Sequence, residues 1–172
     1  MHVVFMGVSG TGKSTIALRV AERLDLPFAE ADQFHPEANI AKMSEGVPLT
    51  DEDRLPWLSL LAEWIGDHEE RGKSTIMACS ALKRGYRDIL RAGAPDVCFL
   101  HLDGPASLIA DRLRERSDHF MPPGLLDSQQ AALERLGPDE SGATLDISPP
   151  IEETAERATG IVAAALGRVD GG

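Results

Sequence analysis

The chain has 172 residues, of which 42 % are hydrophobic and 26 % charged, and its formal net charge at pH 7 is −11. This length and composition predict one globular domain over residues 1–172 that is long enough to bury a substantial core. The acidic balance argues against nucleic acid and anionic membranes as partners, and no apolar run approaches the roughly 18 residues of a membrane span, so we expect a cytoplasmic protein.

The first half of the chain alternates short apolar runs with segments of helical periodicity. An apolar run that ends at a glycine suits a buried parallel strand, and apolar residues spaced three and four apart suit an amphipathic helix. In chain order we predict a strand at His2–Met6, a helix at Lys13–Leu24, a strand at Phe28–Ala31, a helix at Pro36–Glu45 and a helix capped by Thr50. Asp53, three residues after Thr50, completes a capping pattern.

The second half continues the same alternation. We predict a strand at Ser74–Cys79, a helix at Lys83–Ala92, a strand at Val97–Leu102, a helix at Pro105–Arg116, a loop at Ser117–Gly124, a helix at Leu125–Leu136, a strand at Leu145–Ile147 and a helix at Ile151–Leu166. Strands alternating with helices predict an α/β fold with a five-stranded parallel sheet covered on both faces. Ligands of such sheets bind beyond the carboxyl ends of the strands, which places Gly7, Asp32, Ser80, Asp103 and Ser148 at the functional edge.

The residues after the first strand form a phosphate-binding motif. Gly7-Val8-Ser9-Gly10-Thr11-Gly12-Lys13-Ser14 matches the P-loop pattern at every fixed position. Its glycines allow a turn whose N–H groups point inward at anionic oxygens, and the helix that follows directs its positive end to the same place. Lys13 supplies a cation for the β- and γ-phosphates of ATP, and the Ser14 hydroxyl is a hard oxygen ligand for Mg²⁺. We expect nucleotide contacts from Gly7, Ser9, Gly10, Thr11, Gly12, Lys13, Ser14 and Thr15.

Two arginines on the Pro105–Arg116 helix are candidates for a lid over the phosphates. Arg112 and Arg116 are four residues apart and share a helix face, and a Pro- and Gly-rich loop follows them. In a P-loop kinase such a pair would close over the transferring phosphoryl group and neutralise its charge. We therefore predict a helical lid at about residues 112–130, with a solvated basic face as the alternative.

Asp32 is the candidate base. It follows the second strand at the ligand edge, where a carboxylate can orient an alcohol acceptor and take its proton, although a turn aspartate is the alternative. Glu30 is two residues earlier, so it lies on the same face if the strand continues to Asp32. The third strand ends at Cys79-Ser80 without the acidic residue of a Walker-B motif, so Mg²⁺ would depend on Ser14, the phosphates and water, with Asp32 farther from the ion.

Further segments extend the P-loop into a longer pattern. They are Asp32-Gln33-Phe34-His35-Pro36, Asn39-Ile40-Ala41-Lys42-Met43, the run from Gly46 to Arg54, Cys79-Ser80-Ala81-Leu82-Lys83, and Arg112-Leu113-Arg114-Glu115-Arg116 followed by His119-Phe120. Together these segments resemble the gluconokinases of the shikimate-kinase-like P-loop group over nearly the whole chain. One departure is Glu30-Ala31-Asp32, where members of that family often have Asp-Gly-Asp.

The resemblance implies phosphoryl transfer from ATP to the terminal hydroxyl of D-gluconate, giving 6-phospho-D-gluconate. It also implies a three-layer sandwich like that of nucleoside-monophosphate kinases, with strand order 2-3-1-4-5, and a homodimer as the assembly. In that order Cys79 and Cys98 lie on the two neighbours of the first strand, roughly 9–10 Å apart. This separation is too large for a disulfide.

The resemblance also assigns roles by position. Asp32 looks like the acceptor-orienting base, with Lys13 and Arg116 as the other catalytic residues. The segment 147–150, including Pro149, would run alongside the adenine ring. Arg112 and Arg116 would also contact the nucleotide. Gluconate would be faced by four cations and a histidine: Lys42, Arg54, Lys83, Arg87 and His35. A structural role for His35 is nearly as well supported.

Three rival functions remain open on the sequence. Shikimate kinase would favour a Gly-Gly-Gly turn after the third strand, where this chain has Ser80-Ala81-Leu82. Another small-molecule P-loop kinase, such as a nucleoside-monophosphate kinase, would need an acceptor site that holds a base and a phosphate. A nucleotide-binding regulator would bind ATP without turnover.

Overall fold

The computed structural model describes residues 1–116 and 124–167. Its strands and helices alternate along the chain as the sequence predicts. In order they are β1 (His2–Met6), α1 (Lys13–Leu24), β2 (Phe28–Glu30), α2 (Glu37–Ser44), α3 (Asp51–Glu70), β3 (Thr75–Ala78), α4 (Arg84–Arg91), β4 (Val97–Asp103), α5 (Ala106–Glu115), α6 (Leu125–Ala132), β5 (Gly142–Asp146) and α7 (Ile151–Ala165). A short 3₁₀ helix, Ala31–Phe34, follows β2.

The five strands form one parallel sheet in the order β2-β3-β1-β4-β5, which confirms the predicted order. The central strand is β1, in which Phe5 is in register with Ala78 of β3 and Leu100 of β4. All five residues of β1 are buried, as expected for a parallel strand covered on both faces. The loop that leaves β1 therefore lies in the middle of the carboxyl edge of the sheet.

Helices cover both faces of the sheet, and this arrangement confirms the predicted three-layer sandwich. Alternate residues of β1 point to opposite faces, so Val3 and Phe5 belong to one core cluster, and Val4 and Met6 to the other. The first cluster packs against α1 and α7 through Ile16, Ala17, Val20, Ala155, Ala158 and Val162. The second packs against α3 and α4 through Trp57, Leu58, Leu61, Ile65 and Leu90.

Helix α3 begins at the predicted cap. The Thr50 hydroxyl accepts a hydrogen bond from the Asp53 N–H (3.1 Å), and the Asp53 carboxylate accepts one from the Thr50 N–H (2.9 Å). These two bonds satisfy N–H groups that the first turn of a helix otherwise leaves unpaired. The capping prediction is therefore confirmed.

The structure differs from the predicted elements near the far edge of the sheet. Helix α6 ends at Ala132 and not at Leu136, because the Glu134 N–H donates to the carbonyl of Leu82 (2.8 Å) and draws the chain away from the helix. Strand β5 starts at Gly142, before the predicted Leu145, and its first three residues are exposed. An exposed edge strand lacks the apolar run that identifies a buried one. Gly142 is required there, since a Cβ would lie 2.1 Å from the Phe99 carbonyl oxygen.

Both cysteines are free thiols, as predicted. Cys79 follows β3 and Cys98 lies on β4, and β1 separates the two strands. Burial raises the pKa of Cys79 to about 12, so its thiol stays protonated and is a poor nucleophile. In the described residues, no helix combines the length and the apolar character that crossing a membrane requires.

Candidate active site

The phosphate loop has the backbone conformation that its glycines predict. Gly7, Gly10 and Gly12 have φ values of 148°, 88° and 87°, in the region that favours glycine. A Cβ at Gly7 would lie 2.7 Å from the Leu102 carbonyl oxygen, and one at Gly10 would lie 2.6 Å from Leu113 Cγ. The loop ends at α1, whose amino terminus points to the carboxyl edge of the sheet. This arrangement is a ready-made site for an anion.

Lys13 lies at the centre of a group of charged side chains. Its Nζ donates to the Val8 carbonyl oxygen at 3.3 Å. Desolvation lowers the pKa of Lys13, the carboxylates of Asp32 and Glu30 oppose this effect, and the positive charge of Arg116 adds to it. The structure therefore brings three predicted catalytic residues, Lys13, Asp32 and Arg116, within electrostatic range of one another. Asp32 itself is exposed and accessible to a ligand.

Glu30 interacts with the predicted magnesium ligand. Burial raises the pKa of Glu30, the hydrogen bond from the Ser14 hydroxyl opposes the increase, and the nearby Asp32 carboxylate adds to it. Sequence reasoning placed Glu30 on the same strand face as Asp32 but gave it no partner. The structure ends β2 at Glu30 and begins a 3₁₀ helix at Ala31, so strand alternation does not relate the two side chains. The contact with Ser14 required the structure.

The predicted lid arginines have different partners. Arg112 Nη2 donates to the carbonyl oxygens of Ile147 (2.8 Å) and Pro149 (3.2 Å), so this residue contacts the loop that was predicted to pass the adenine. Arg116 is exposed and lies near Lys13. Arg112 is therefore held at the loop of residues 147–149, whereas Arg116 is within electrostatic range of Lys13. Residues 117–123 of the predicted 112–130 lid lie outside the described residues.

Three of the four cations predicted to face gluconate are paired with carboxylates. Lys42 Nζ bonds both oxygens of Asp53 (2.8 and 2.9 Å), and Lys83 Nζ bonds both oxygens of Asp51 (3.0 and 3.2 Å). These pairs connect α2 and the start of α4 to the first turn of α3. Their positive charges already have partners before any ligand binds.

Arg87 is fully buried and does not have the position that sequence reasoning expected. Its Nε and Nη2 donate to the two carboxylate oxygens of Glu140 (2.7 and 2.9 Å), and its Nη1 donates to the carbonyls of Ala81 (2.9 Å) and Leu82 (3.2 Å). Every guanidinium nitrogen donates to the protein and the side chain is fully buried, so Arg87 is out of reach of an acceptor molecule. We therefore assign it to the fold and not to the acceptor site.

Arg54 is different from the other three cations. Its Nη1 donates to the Leu49 carbonyl (2.8 Å) and the Tyr86 hydroxyl (3.3 Å), and the guanidinium lies over the Tyr86 ring at 5.8 Å. Within residues 1–116 and 124–167 it forms no ion pair. The Tyr86 hydroxyl in turn donates a hydrogen bond to Asp51. The sequence did not predict this hydrogen bond.

His35 packs on Trp57 and is affected by the charges of Asp32 and Arg54. Its ring stacks on Trp57 with centroids 4.4 Å apart, and its Nδ1 is 3.2 Å from the Asn39 amide nitrogen. Burial lowers its pKa, Asp32 opposes the decrease and Arg54 adds to it. The histidine therefore has a structural contact and is also within electrostatic range of both Asp32 and Arg54.

Comparisons with known proteins identify the family. The AAA domain family model matches residues 3–136. A gluconokinase from Gluconobacter oxydans (strain 621H) is 50 % identical to this chain over 138 residues, which are 80 % of this chain and 78 % of that protein. The chain belongs to the gluconokinase family. The family resemblance predicted from sequence is thus confirmed.

Two solved structures have the same fold as this chain. A gluconokinase from Sinorhizobium meliloti 1021 superposes with a TM-score of 0.83 at 40 % identity, covering 96 % of this chain and 95 % of that one. A sugar kinase from Janibacter sp. HTCC2649 superposes with a TM-score of 0.88 at 57 % identity, covering 98 % and 97 %.

Proposed function

We propose that the chain catalyses the ATP-dependent phosphorylation of D-gluconate to 6-phospho-D-gluconate. The observation that carries this proposal is the convergence of a phosphate-binding lysine, Lys13, with the exposed Asp32 carboxylate. Membership of the gluconokinase family supports gluconate as the acceptor. A regulator that only binds nucleotide would not need an acceptor-orienting base beside its P-loop.

In the proposed step, the terminal hydroxyl oxygen of the acceptor attacks the γ-phosphorus of ATP. The bond between that phosphorus and the β–γ bridging oxygen breaks, and ADP leaves. Asp32 accepts the hydroxyl proton, which makes the oxygen a better nucleophile. Lys13, the loop N–H groups and Arg116 stabilise the charge on the transferring group.

Ser14 and Glu30 are the residues that would hold Mg²⁺. They provide a hydroxyl and a carboxylate that already contact each other, and both are hard oxygen donors of the kind that this ion prefers. The part of the chain that the structure describes contains no cluster of three or more potential ligand residues. Phosphate oxygens and water would complete the coordination, as is usual for Mg²⁺ beside a nucleotide. When bound, Mg²⁺ neutralises negative charge on the β- and γ-phosphates.

Arg54 is the proposed partner of the gluconate carboxylate. Its three companions in the sequence prediction are paired with Asp53, Asp51 and Glu140, whereas Arg54 has no carboxylate partner among the described residues. The planar guanidinium can bind a carboxylate through two parallel hydrogen bonds. Gluconate carries its carboxylate and its reacting hydroxyl at opposite ends of an open chain. Arg54 and Asp32 would therefore hold the two ends, with His35 beside the hydroxyls between them.

A coupled ADP-release assay tests this function. Gluconate, glucose, shikimate and nucleoside monophosphates are compared as acceptors for the wild-type protein. Glucose lacks the carboxylate, and a lost charge-assisted hydrogen bond is worth about 1.5–3 kcal/mol, so its kcat/KM should be roughly 10- to 100-fold lower per contact. Comparable rates on glucose or shikimate would refute the assignment of gluconate. Binding of ATP without ADP release on any acceptor would favour the nucleotide-binding regulator.

Two variants test the roles of the acceptor residues. Asp32→Asn should reduce kcat strongly while gluconate still binds, because an amide cannot take the hydroxyl proton. Arg54→Ala should raise KM for gluconate by about 10- to 100-fold. Arg84→Ala is the matched control, since Arg84 is an exposed arginine paired with Asp139. An unchanged KM in Arg54→Ala, or full activity in Asp32→Asn, would contradict the proposed roles.

A further inference from the structure

Helix α6 contacts the phosphate loop through one glutamine side chain. The Ser9 N–H donates to Gln129 Oε1 at 2.7 Å, and Gln129 Nε2 donates to Ser9 Oγ at 3.1 Å. Both ends of the amide therefore bind a single residue that lies 120 positions earlier in the chain. Nothing in the proposed phosphoryl transfer uses Gln129, and no sequence motif included it.

The hydrogen bond to Ser9 orients the peptide group that also contacts Lys13. The carbonyl of that peptide belongs to Val8, and it accepts from Thr11 Oγ1 (3.0 Å) and from Lys13 Nζ (3.3 Å). A trans peptide is planar, so the direction of its N–H determines the direction of its C=O. By holding the N–H, Gln129 restricts the carbonyl that holds the Lys13 ammonium group. This gives a short physical connection from α6 to the phosphate-binding cation.

A second contact supports the coupling between these helices and the loop. Gly10, the residue after Ser9, packs against α5, where a Cβ would lie 2.6 Å from Leu113 Cγ and 3.1 Å from the Ile109 carbonyl oxygen. The same helix ends beside Arg116. Thus α5 and α6, which precede and follow residues 117–123, both contact adjacent residues of the phosphate loop.

We propose that Gln129 is a positioning residue that sets the location of the Lys13 ammonium group through the Val8–Ser9 peptide. This inference rests on the proposed function only in taking Lys13 as the phosphate-binding cation. Without the Gln129 oxygen, the Ser9 N–H loses its acceptor, and the peptide is held only through the Val8 carbonyl, by Thr11 and by Lys13 itself. The Lys13 ammonium then loses its fixed distance from the ATP phosphates.

A double-mutant cycle on ATP binding tests the connection. Gln129→Met keeps the length of the side chain and removes both hydrogen bonds. With Lys13 present, it should weaken ATP binding, measured by calorimetry, by roughly tenfold, the size expected for one lost hydrogen bond near a charged ligand. In a Lys13→Ala background the same change should weaken binding less than about twofold, because interacting residues are not additive.

Controls separate this role from a general loss of structure. Gln130→Met changes the next residue of α6, for which the described residues show no hydrogen bond, and should leave ATP binding unchanged. Gln129→Leu is a second variant that should repeat the effect of Gln129→Met, and the unfolding temperature of each variant is recorded. The proposal would be refuted if Gln129→Met weakened ATP binding equally with Lys13 and in the Lys13→Ala background. It would also be refuted if Gln130→Met weakened ATP binding as much as Gln129→Met. ATP binding is measured without acceptor, so a protein that does not phosphorylate gluconate would overturn the proposed function and leave this test intact.

Discussion

Replacing Glu140 with glutamine is expected to destabilise the fold without weakening gluconate binding. Arg87 donates two hydrogen bonds to Glu140, and the side chains of these two residues are 0 % and 1 % exposed. Arg91 Nη1 adds a third bond at 2.9 Å. In Glu140→Gln the amide keeps one acceptor oxygen but supplies no counter-charge, so the Arg87 guanidinium remains charged in the core. A buried charge without its partner is strongly destabilising.

The size of this effect follows from the ionisation of Glu140. Hydrogen bonds from Arg87, and to a smaller extent from Arg91, outweigh desolvation and lower the pKa of Glu140 from 4.5 to about 2. At about 1.4 kcal/mol per pKa unit, this difference corresponds to about 3 kcal/mol of stabilisation in the ionised state. The value agrees with the roughly 3–5 kcal/mol lost when one partner of a buried ion pair is removed.

The effect should also depend on pH in a defined direction. The native pKa of Glu140 is lower than its unfolded value, so the stabilisation is fully present above about pH 4.5 and is lost as pH falls toward 2. Urea titrations of both proteins at pH 7 should differ by about 3 kcal/mol in the free energy of unfolding. The difference should shrink by about 1.4 kcal/mol for each pH unit below 4.5.

A control and a kinetic measurement decide between the two roles of Arg87. Asp139→Asn breaks an exposed ion pair with Arg84 beside Glu140, and it should change stability little. Glu140→Gln should leave KM for gluconate unchanged under conditions where it is folded. Equal stability of Glu140→Gln and the wild type at pH 7 would refute the reasoning. A raised KM at unchanged stability would instead restore the prediction that Arg87 faces gluconate.

Three further predictions concern the phosphate site, the lid and a helix cap. Lys13→Ala should reduce ADP release by orders of magnitude at an unchanged unfolding temperature, and near-normal turnover would contradict its role. Arg116→Ala should lower kcat more than it raises KM for gluconate, since its charge acts mainly in the transition state; a change in ATP affinity alone would make it a ground-state contact. Thr50→Ala should cost about 1 kcal/mol in urea unfolding, with Thr50→Ser close to wild type, and equal losses would show that the hydroxyl is not the cause.

Local sequence patterns predicted most of the fold. The run His2–Met6, the glycines after it and the capping pattern at Thr50 each determine structure through neighbouring residues, and the structure confirms all three. The start of β5 was not predicted, because it depends on a distant contact and not on a local pattern. Gly142 lacks an apolar pattern, and its place in the sheet is decided by contact with Phe99, which is 43 positions earlier in the sequence.

The candidate site was less predictable because its electrostatics depend on distant partners. Lys42, Lys83 and Arg87 were predicted to face gluconate, but each has a carboxylate partner 11, 32 or 53 residues away in the chain. No periodicity or spacing rule identifies such pairs. The contact between Ser9 and Gln129 spans 120 positions and was equally hidden. Strand alternation could not place Glu30 relative to Asp32, because β2 ends at Glu30, and it gave no sign of the hydrogen bond from Ser14.

The ion pairs that neutralise these cations also affect how an anionic substrate reaches the protein. ATP and gluconate are both anions, and the protein carries a formal net charge of −11. With Lys42 and Lys83 already bound to carboxylates, little long-range attraction opposes the general repulsion. Added salt shortens the Debye length from about 30 Å at 0.01 M to about 10 Å at 0.1 M. Productive encounters with gluconate should therefore become faster over that range, the reverse of the behaviour of an enzyme that attracts its substrate through a basic surface.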